Sequence, residues 1–336
     1  MFGLRYLLVV PLCFLVSSAS CSKPDGEVYI MEVVEAVAAP ALDTIEVIVH
    51  VDPGQIPESQ DLGEIVTLSP YAEFGIHHQS AAVCGDYVFF VRAGRGAIYL
   101  FDMVKKTKVC TYTVVGEDSK VYHCNQSSFG IEKYVSSDYF PLLYISQFAR
   151  SERRCFTEVF RIIPQLNADR TTILSFRLEK VQEIIFPPMS EKNSMGNVNC
   201  VIDPKTGWMY TYSRNNDFLD ANYGKCKVSR FAIPEIHQPE VILDDSDIRS
   251  SFFLDVDAMY MQGGCIVDNR LYIGQGYPAA GYVYLNVVDL AEEKLIKRYN
   301  LLASGVKWEP EGCFYYDGDV MLSYSYGISR IIEEDY

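Results

Sequence analysis

Cys265-Ile-Val-Asp-Asn-Arg-Leu-Tyr272 is an apolar stretch, a tight polar turn and a second apolar-aromatic stretch. Asp-Asn between two such stretches is the chemistry of a two-residue β-hairpin turn. The phrase returns along the chain as Cys200-Val-Ile-Asp203 followed by Tyr210, and more loosely as Cys84-Gly85-Asp86-Tyr87 and Cys313-Phe-Tyr-Tyr-Asp317. One hairpin repeated at intervals predicts a repeat architecture, here an all-β β-propeller.

Around each copy the flanking residues fill in four short strands. The unit from about 261 to 301 is the cleanest, with strands at 264–267, 271–275, 282–289 and 294–299. Earlier units run from about 78 to 115, from 123 to 186 and from 196 to 243. The last starts at Glu311 and ends after three strands. A closed ring leaves no sheet edge free, so the missing strand is expected from the N-terminal side, near Glu64–Ser69. The count predicts five four-stranded blades. Six is the alternative, with the strand pattern at 44–51 and the long second unit supplying another. Helical periodicity is confined to a turn or two within 246–259.

The N-terminus reads as an export signal. Arg5 precedes an apolar run from Leu7 to Val16, too short to span a bilayer at roughly 20 residues. Ser17-Ser18-Ala19-Ser20 then leads to Cys21, the arrangement of a lipoprotein cleavage site with Cys21 as the lipidated residue. The domain expectation is a signal peptide at 1–20, a tether with an N-terminal strand at 21–61, and the propeller at 62–336. The formal net charge of −15 disfavours nucleic acid and anionic lipid surfaces, so membrane contact is expected through the N-terminal lipid only. Apart from Cys13 and Cys21, eight cysteines remain, without a Cys-x-x-Cys pair. Cys84, Cys200, Cys265 and Cys313 recur at the same place in successive repeats and read as small buried hydrophobes, while Cys110, Cys124, Cys155 and Cys226 are expected to stay unpaired.

The innermost strand of every propeller blade lines the channel, and the residues leading into those strands converge at one mouth. Here they are polar: His77, His78 and Gln79; His123 and Asn125; Asn197 and Asn199; Gln262; and Trp308, Glu309 and Glu311. Convergence from distant segments is what a site requires. His78, His123 and Glu311 are the candidate catalytic groups and the candidate ligands of a divalent metal such as calcium. Gln79, Asn125, Asn197, Asn199, Gln262, Trp308 and Glu309 are the candidate ligand-binding residues. Asp244-Asp245-Ser-Asp247 lacks the spacing of a calcium loop and reads as a solvated turn.

The lipobox, the blades, and the phrases His123-Cys-Asn125, Met261-Gln-Gly-Gly264 and Glu309-Pro-Glu-Gly312 resemble the uncharacterised Bacteroidetes β-propeller lipoproteins, described as TolB-like or six-bladed. The resemblance implies an outer-membrane lipoprotein of the cell envelope, facing the periplasm or the surface. The Glu-Gly step is also similar to lactonase-like and apyrase-like propellers, which hold calcium with channel carboxylates and Asn. Two functional readings follow. One is a binding module for a small polar ligand, a glycan or an envelope protein at the channel mouth. The other is a metal-assisted hydrolase or lyase at the same place.

Overall fold

The computed structural model describes residues 20–22, 28–30, 63–92, 97–113, 123–149, 154–186, 198–215 and 220–333. The chain divides into a unit at 1–60 and a unit at 61–336. In the first, the described residues form a two-stranded antiparallel ribbon, Ser20–Ser22 with Val28–Ile30, in which Cys21 lies opposite Tyr29. The expected signal peptide, most of the tether and the strand expected at 44–51 lie outside the described residues.

The second unit is a propeller of five blades. The first blade is Ser80–Cys84, Tyr87–Val91, Ala97–Asp102 and Thr107–Thr113. Each strand pairs antiparallel with the next. The third is Asn199–Ile202, Met209–Arg214, Lys225–Phe231 and Ser250–Asp257. The fourth is Met261–Val267, Arg270–Tyr277, Tyr282–Asp289 and Lys294–Asn300. Its opening hairpin is the quoted phrase. Asp268 and Asn269 both take positive φ, 44° and 66°, which only a few residue types tolerate and which the right-handed strand twist requires of a two-residue turn.

The fifth blade has three consecutive strands, Gly312–Tyr316, Asp319–Tyr324 and Gly327–Ile332. Its fourth is Thr67–Glu73, antiparallel to Gly327–Ile332. The N-terminal strand therefore closes the ring, overlapping the expected window at 67–69 and ending four residues past it. Innermost strands of neighbouring blades pack side by side around the ring, and that of the fourth blade also reaches those of the first and second across the hub. The apolar clusters lie between blades. Ala82, Phe89 and Leu100 of the first blade pack on Leu143, Ile145 and Phe160 of the second, and Val201 and Tyr212 of the third pack on Ile266, Leu271 and Ile273 of the fourth.

Three details correct the sequence reading. The second blade does not hide a sixth. Its strands are His123–Phe129, Leu143–Ala149, Arg154–Leu166 and Ile173–Phe186, and the extra length extends one hairpin, Arg154–Leu166 with Ile173–Phe186. Glu240–Ile242, expected in the third unit, instead adds to this sheet in parallel beside Glu183–Ile185. The helical expectation at 246–259 reduces to a 3-10 turn at Asp245–Asp247, and Ser250–Asp257 is the outer strand of the third blade. Asp244 and Asp247 cap that turn reciprocally, side chain to backbone. None of the eight cysteines described in the second unit is in a disulfide. Of the four repeated cysteines Cys200 and Cys313 are buried as expected, whereas Cys84 and Cys265 are only half-buried.

Candidate functional site at the channel mouth

The hub is tied shut by side chains. Gln126, on the second blade's innermost strand, is buried and faces the backbone of Gly264 on the fourth. Its Oε1 accepts from the Gly264 N–H at 2.6 Å, and its Nε2 donates to the Gly264 carbonyl at 2.9 Å and to that of Ser127 at 2.8 Å. The primary amide thus imitates a peptide group and pairs with a strand edge that has no neighbouring strand. Tyr212, from the third blade, donates its hydroxyl to the Gln262 carbonyl at 2.6 Å and also meets Gln126 Oε1 at 3.3 Å. Ser80 of the first blade donates to Ser127 Oγ at 2.9 Å.

Above this closure lie two carboxylates. Glu309 and Glu311 flank the buried Pro310, which fixes the backbone between them at the start of the fifth blade. Gln79 Nε2 donates to Glu311 Oε2 at 2.9 Å, and Gln262 Nε2 donates to Glu309 Oε1. Each acid therefore receives one neutral amide from an adjacent blade, Gln79 from the first and Gln262 from the fourth. Neither has a lysine or arginine partner among the described residues. Burial pushes the Glu311 carboxyl well above the ordinary range, and the neighbouring Glu309 adds to the rise. Burial raises Glu309 as well, partly offset by the Gln262 amide. Gly263 is required here by close approach: a Cβ on it would stand 2.7 Å from the Glu311 carbonyl oxygen and 2.9 Å from Gly312 Cα. These bonds link all five blades, the third through Tyr212 on its second strand.

His78 is placed differently. It is 2% exposed, with Nδ1 3.1 Å from the Ile76 carbonyl and Nε2 3.1 Å from Ser323 Oγ. Its ring lies 4.5 Å from that of Phe90 and 6.3 Å from that of Phe74. Burial lowers its pKa to about 4, so the ring is neutral at pH 7. In that form Nδ1–H donates to Ile76, and Nε2 shares the Ser323 hydroxyl hydrogen with the Gly312 carbonyl, 3.1 Å from Ser323 Oγ. Both nitrogens are occupied, and His78 braces the first blade against the fifth without reaching the carboxylate pair.

Asn199 opens the third blade's innermost strand, opposite Tyr212 in register. It is 1% exposed, and neither side-chain polar atom has a partner among the described residues. Val201, two residues on and on the same face, packs against Ile266 and Leu271 of the fourth blade. Asn199 therefore faces the junction between third and fourth blades, which also holds Gln262. Asn125 is buried on the second blade. His123 is the first residue of His123–Phe129, and its side chain lies outside the description. Asn197 lies outside the described residues. Trp308 sits on the rim, 45% exposed.

Gln126, Tyr212 and Ser323 escape the sequence reading. The apparent signal for Gln126 is only a polar residue inside a strand, because its partner is 138 residues away. Tyr326 was also missed, lying in the turn between the fifth blade's second and third strands.

No known family profile matches the chain, and no curated protein matches it either. Among solved structures, it is similar to glutaminyl cyclase from Myxococcus xanthus at 8% identity and a TM-score of 0.43, over 81% of this chain and 95% of that one. It is similar to a glucose dehydrogenase at 13% identity and a TM-score of 0.42, over 80% and 100% of the two chains. The C-terminal WD40 domain of Sif2 matches at 7% identity and a TM-score of 0.35, over 82% and 100%. The five blades in their ring make this chain a β-propeller. The matches are distant and differ in their named activities, so none assigns a function.

Proposed function

We propose that this protein is a binding propeller, exported and anchored to the outer membrane through a lipid on Cys21, which recognises a small polar ligand at the channel mouth. The observation that carries the reading is the Glu309–Glu311 pair. Two carboxylates sit together over a closed hub, held by neutral amides from both neighbouring blades, with the unpartnered Asn199 amide in the adjoining junction. Preorganised acceptors and donors converging from several blades are what recognition of a polar molecule uses. Glycan and envelope-protein ligands meet the same groups. The hydrolase reading needs His78 as a ligand or a base, and the occupation of both its ring nitrogens favours binding instead.

The test is a calorimetric screen of small polar molecules against the purified protein, with and without chelator, alongside metal analysis of wild type and Glu311→Ala. Binding that survives chelation and is lost in Glu311→Ala supports the reading. Stoichiometric metal that disappears in Glu311→Ala overturns it in favour of the metal-assisted enzyme. Lipidation is tested separately in cells by Cys21→Ala, which should abolish lipid labelling.

A further inference from the structure

Beside the carboxylate pair stands a row of exposed rings. Trp308 and Tyr326 are 45% and 41% exposed, with centroids 4.3 Å apart and planes inclined by 40°. His77 meets Tyr326 edge-on at 5.6 Å. The row spans the two segments that build the carboxylate site. Trp308 directly precedes Glu309, and His77 lies two residues before Gln79, whose amide holds Glu311. Large aromatic faces left open beside a polar cleft are a common recognition surface.

The charge next to these rings is unbalanced. Each carboxylate has an amide partner and no cationic one among the described residues, and the two acids repel each other. A neutral guest would supply hydrogen bonds but leave two acids, both raised by burial, without a counter-charge. A guest with one positive charge relieves that repulsion, and the π faces of Trp308 and Tyr326 attract the same charge.

We infer that the mouth recognises an organic cation: an ammonium group on a flat apolar body, the body against Trp308 and Tyr326 and the ammonium on Glu309 and Glu311. The inference rests on the binding reading of this same mouth. It is tested with the purified full-length protein by calorimetric titration of two matched pairs, benzylamine against benzyl alcohol and D-glucosamine against D-glucose. Each amine is expected to bind at least about tenfold tighter than its neutral partner, the effect of one charge-assisted hydrogen bond. Glu309→Gln should abolish that preference. Trp308→Ala should weaken the amine and the alcohol alike, and Trp208→Ala, a control at the other tryptophan, should change neither. Melting curves confirm that each variant is folded. Equal affinity for amine and neutral partner overturns the inference and leaves the binding reading standing, as does failure of both amines to bind at millimolar concentration while another polar molecule binds. Metal lost from Glu311→Ala with no ligand bound overturns both.

Discussion

Replacing Gln126 with alanine is expected to destabilise the protein by about 3–6 kcal/mol, although the residue touches no proposed ligand. The substitution removes the partners of the Gly264 N–H, the Gly264 carbonyl and the Ser127 carbonyl. A buried polar group left without a partner costs roughly 1–3 kcal/mol. Water entering the vacated space satisfies some of them again, which places the sum in the lower half of the range. Gln126→Met fills most of the volume without the bonds and separates the two contributions: less than half of the loss should return. The assay is guanidinium unfolding of both variants beside Gln165→Ala, an exposed glutamine on the long hairpin that should stay within about 0.5 kcal/mol of wild type. A loss below about 1 kcal/mol for Gln126→Ala, or full recovery in Gln126→Met, would refute the claim that this amide ties the hub.

Three further outcomes follow from the same geometry. His78 has a folded pKa of about 4 against 6.5 unfolded, so the stability it contributes is present above pH 6.5 and is lost as pH falls through 4. The loss amounts to about 3 kcal/mol at 1.36 kcal/mol per unit, and unfolding midpoints of His78→Gln measured against pH should lack that part of the slope. Glu311 shifts the other way: its raised carboxyl favours the fold below the ordinary carboxylate range, and that advantage is lost as pH rises through the raised value. Glu311→Gln should therefore be the more stable protein at pH 7 by thermal melting, with a flatter acid profile. Gly263→Ala places a methyl group against the Glu311 carbonyl and should cost about 1–3 kcal/mol in denaturant unfolding while weakening any ligand at the mouth.

The sequence carried the hairpins because a turn is local. Asp268-Asn269 needs positive φ at both positions, and few residues other than Asp, Asn and Gly accept it. Ring closure was legible because a blade with three strands has an open edge, and Thr67–Glu73 fills it. Ser250–Asp257 was not legible as a strand. It is an outer strand with one covered face, and its Asp255 and Asp257 are exposed acids of the kind that mark loops. The position of Glu240–Ile242 depends on which sheet has a free edge within reach, a tertiary fact.

The mouth was legible in part. Residues leading into innermost strands must converge in a propeller, and Gln79, Gln262, Glu309 and Glu311 do so through direct bonds. What convergence could not reveal is how each side chain is used. His78 and Glu311 belong to adjacent blades, yet the ring turns into an aromatic pocket with Phe90 while the carboxylate turns to Gln79. Backbone partners decided that difference, and those partners are set by the fold.

The site itself is tested most directly by carbon-13 NMR titration of protein labelled at glutamate carboxyls, with and without benzylamine. Two coupled resonances, assigned through Glu309→Gln and Glu311→Gln, should titrate above the ordinary carboxylate range and move back down when the amine is present. Both resonances titrating in the ordinary range, unchanged by amine, would contradict the account.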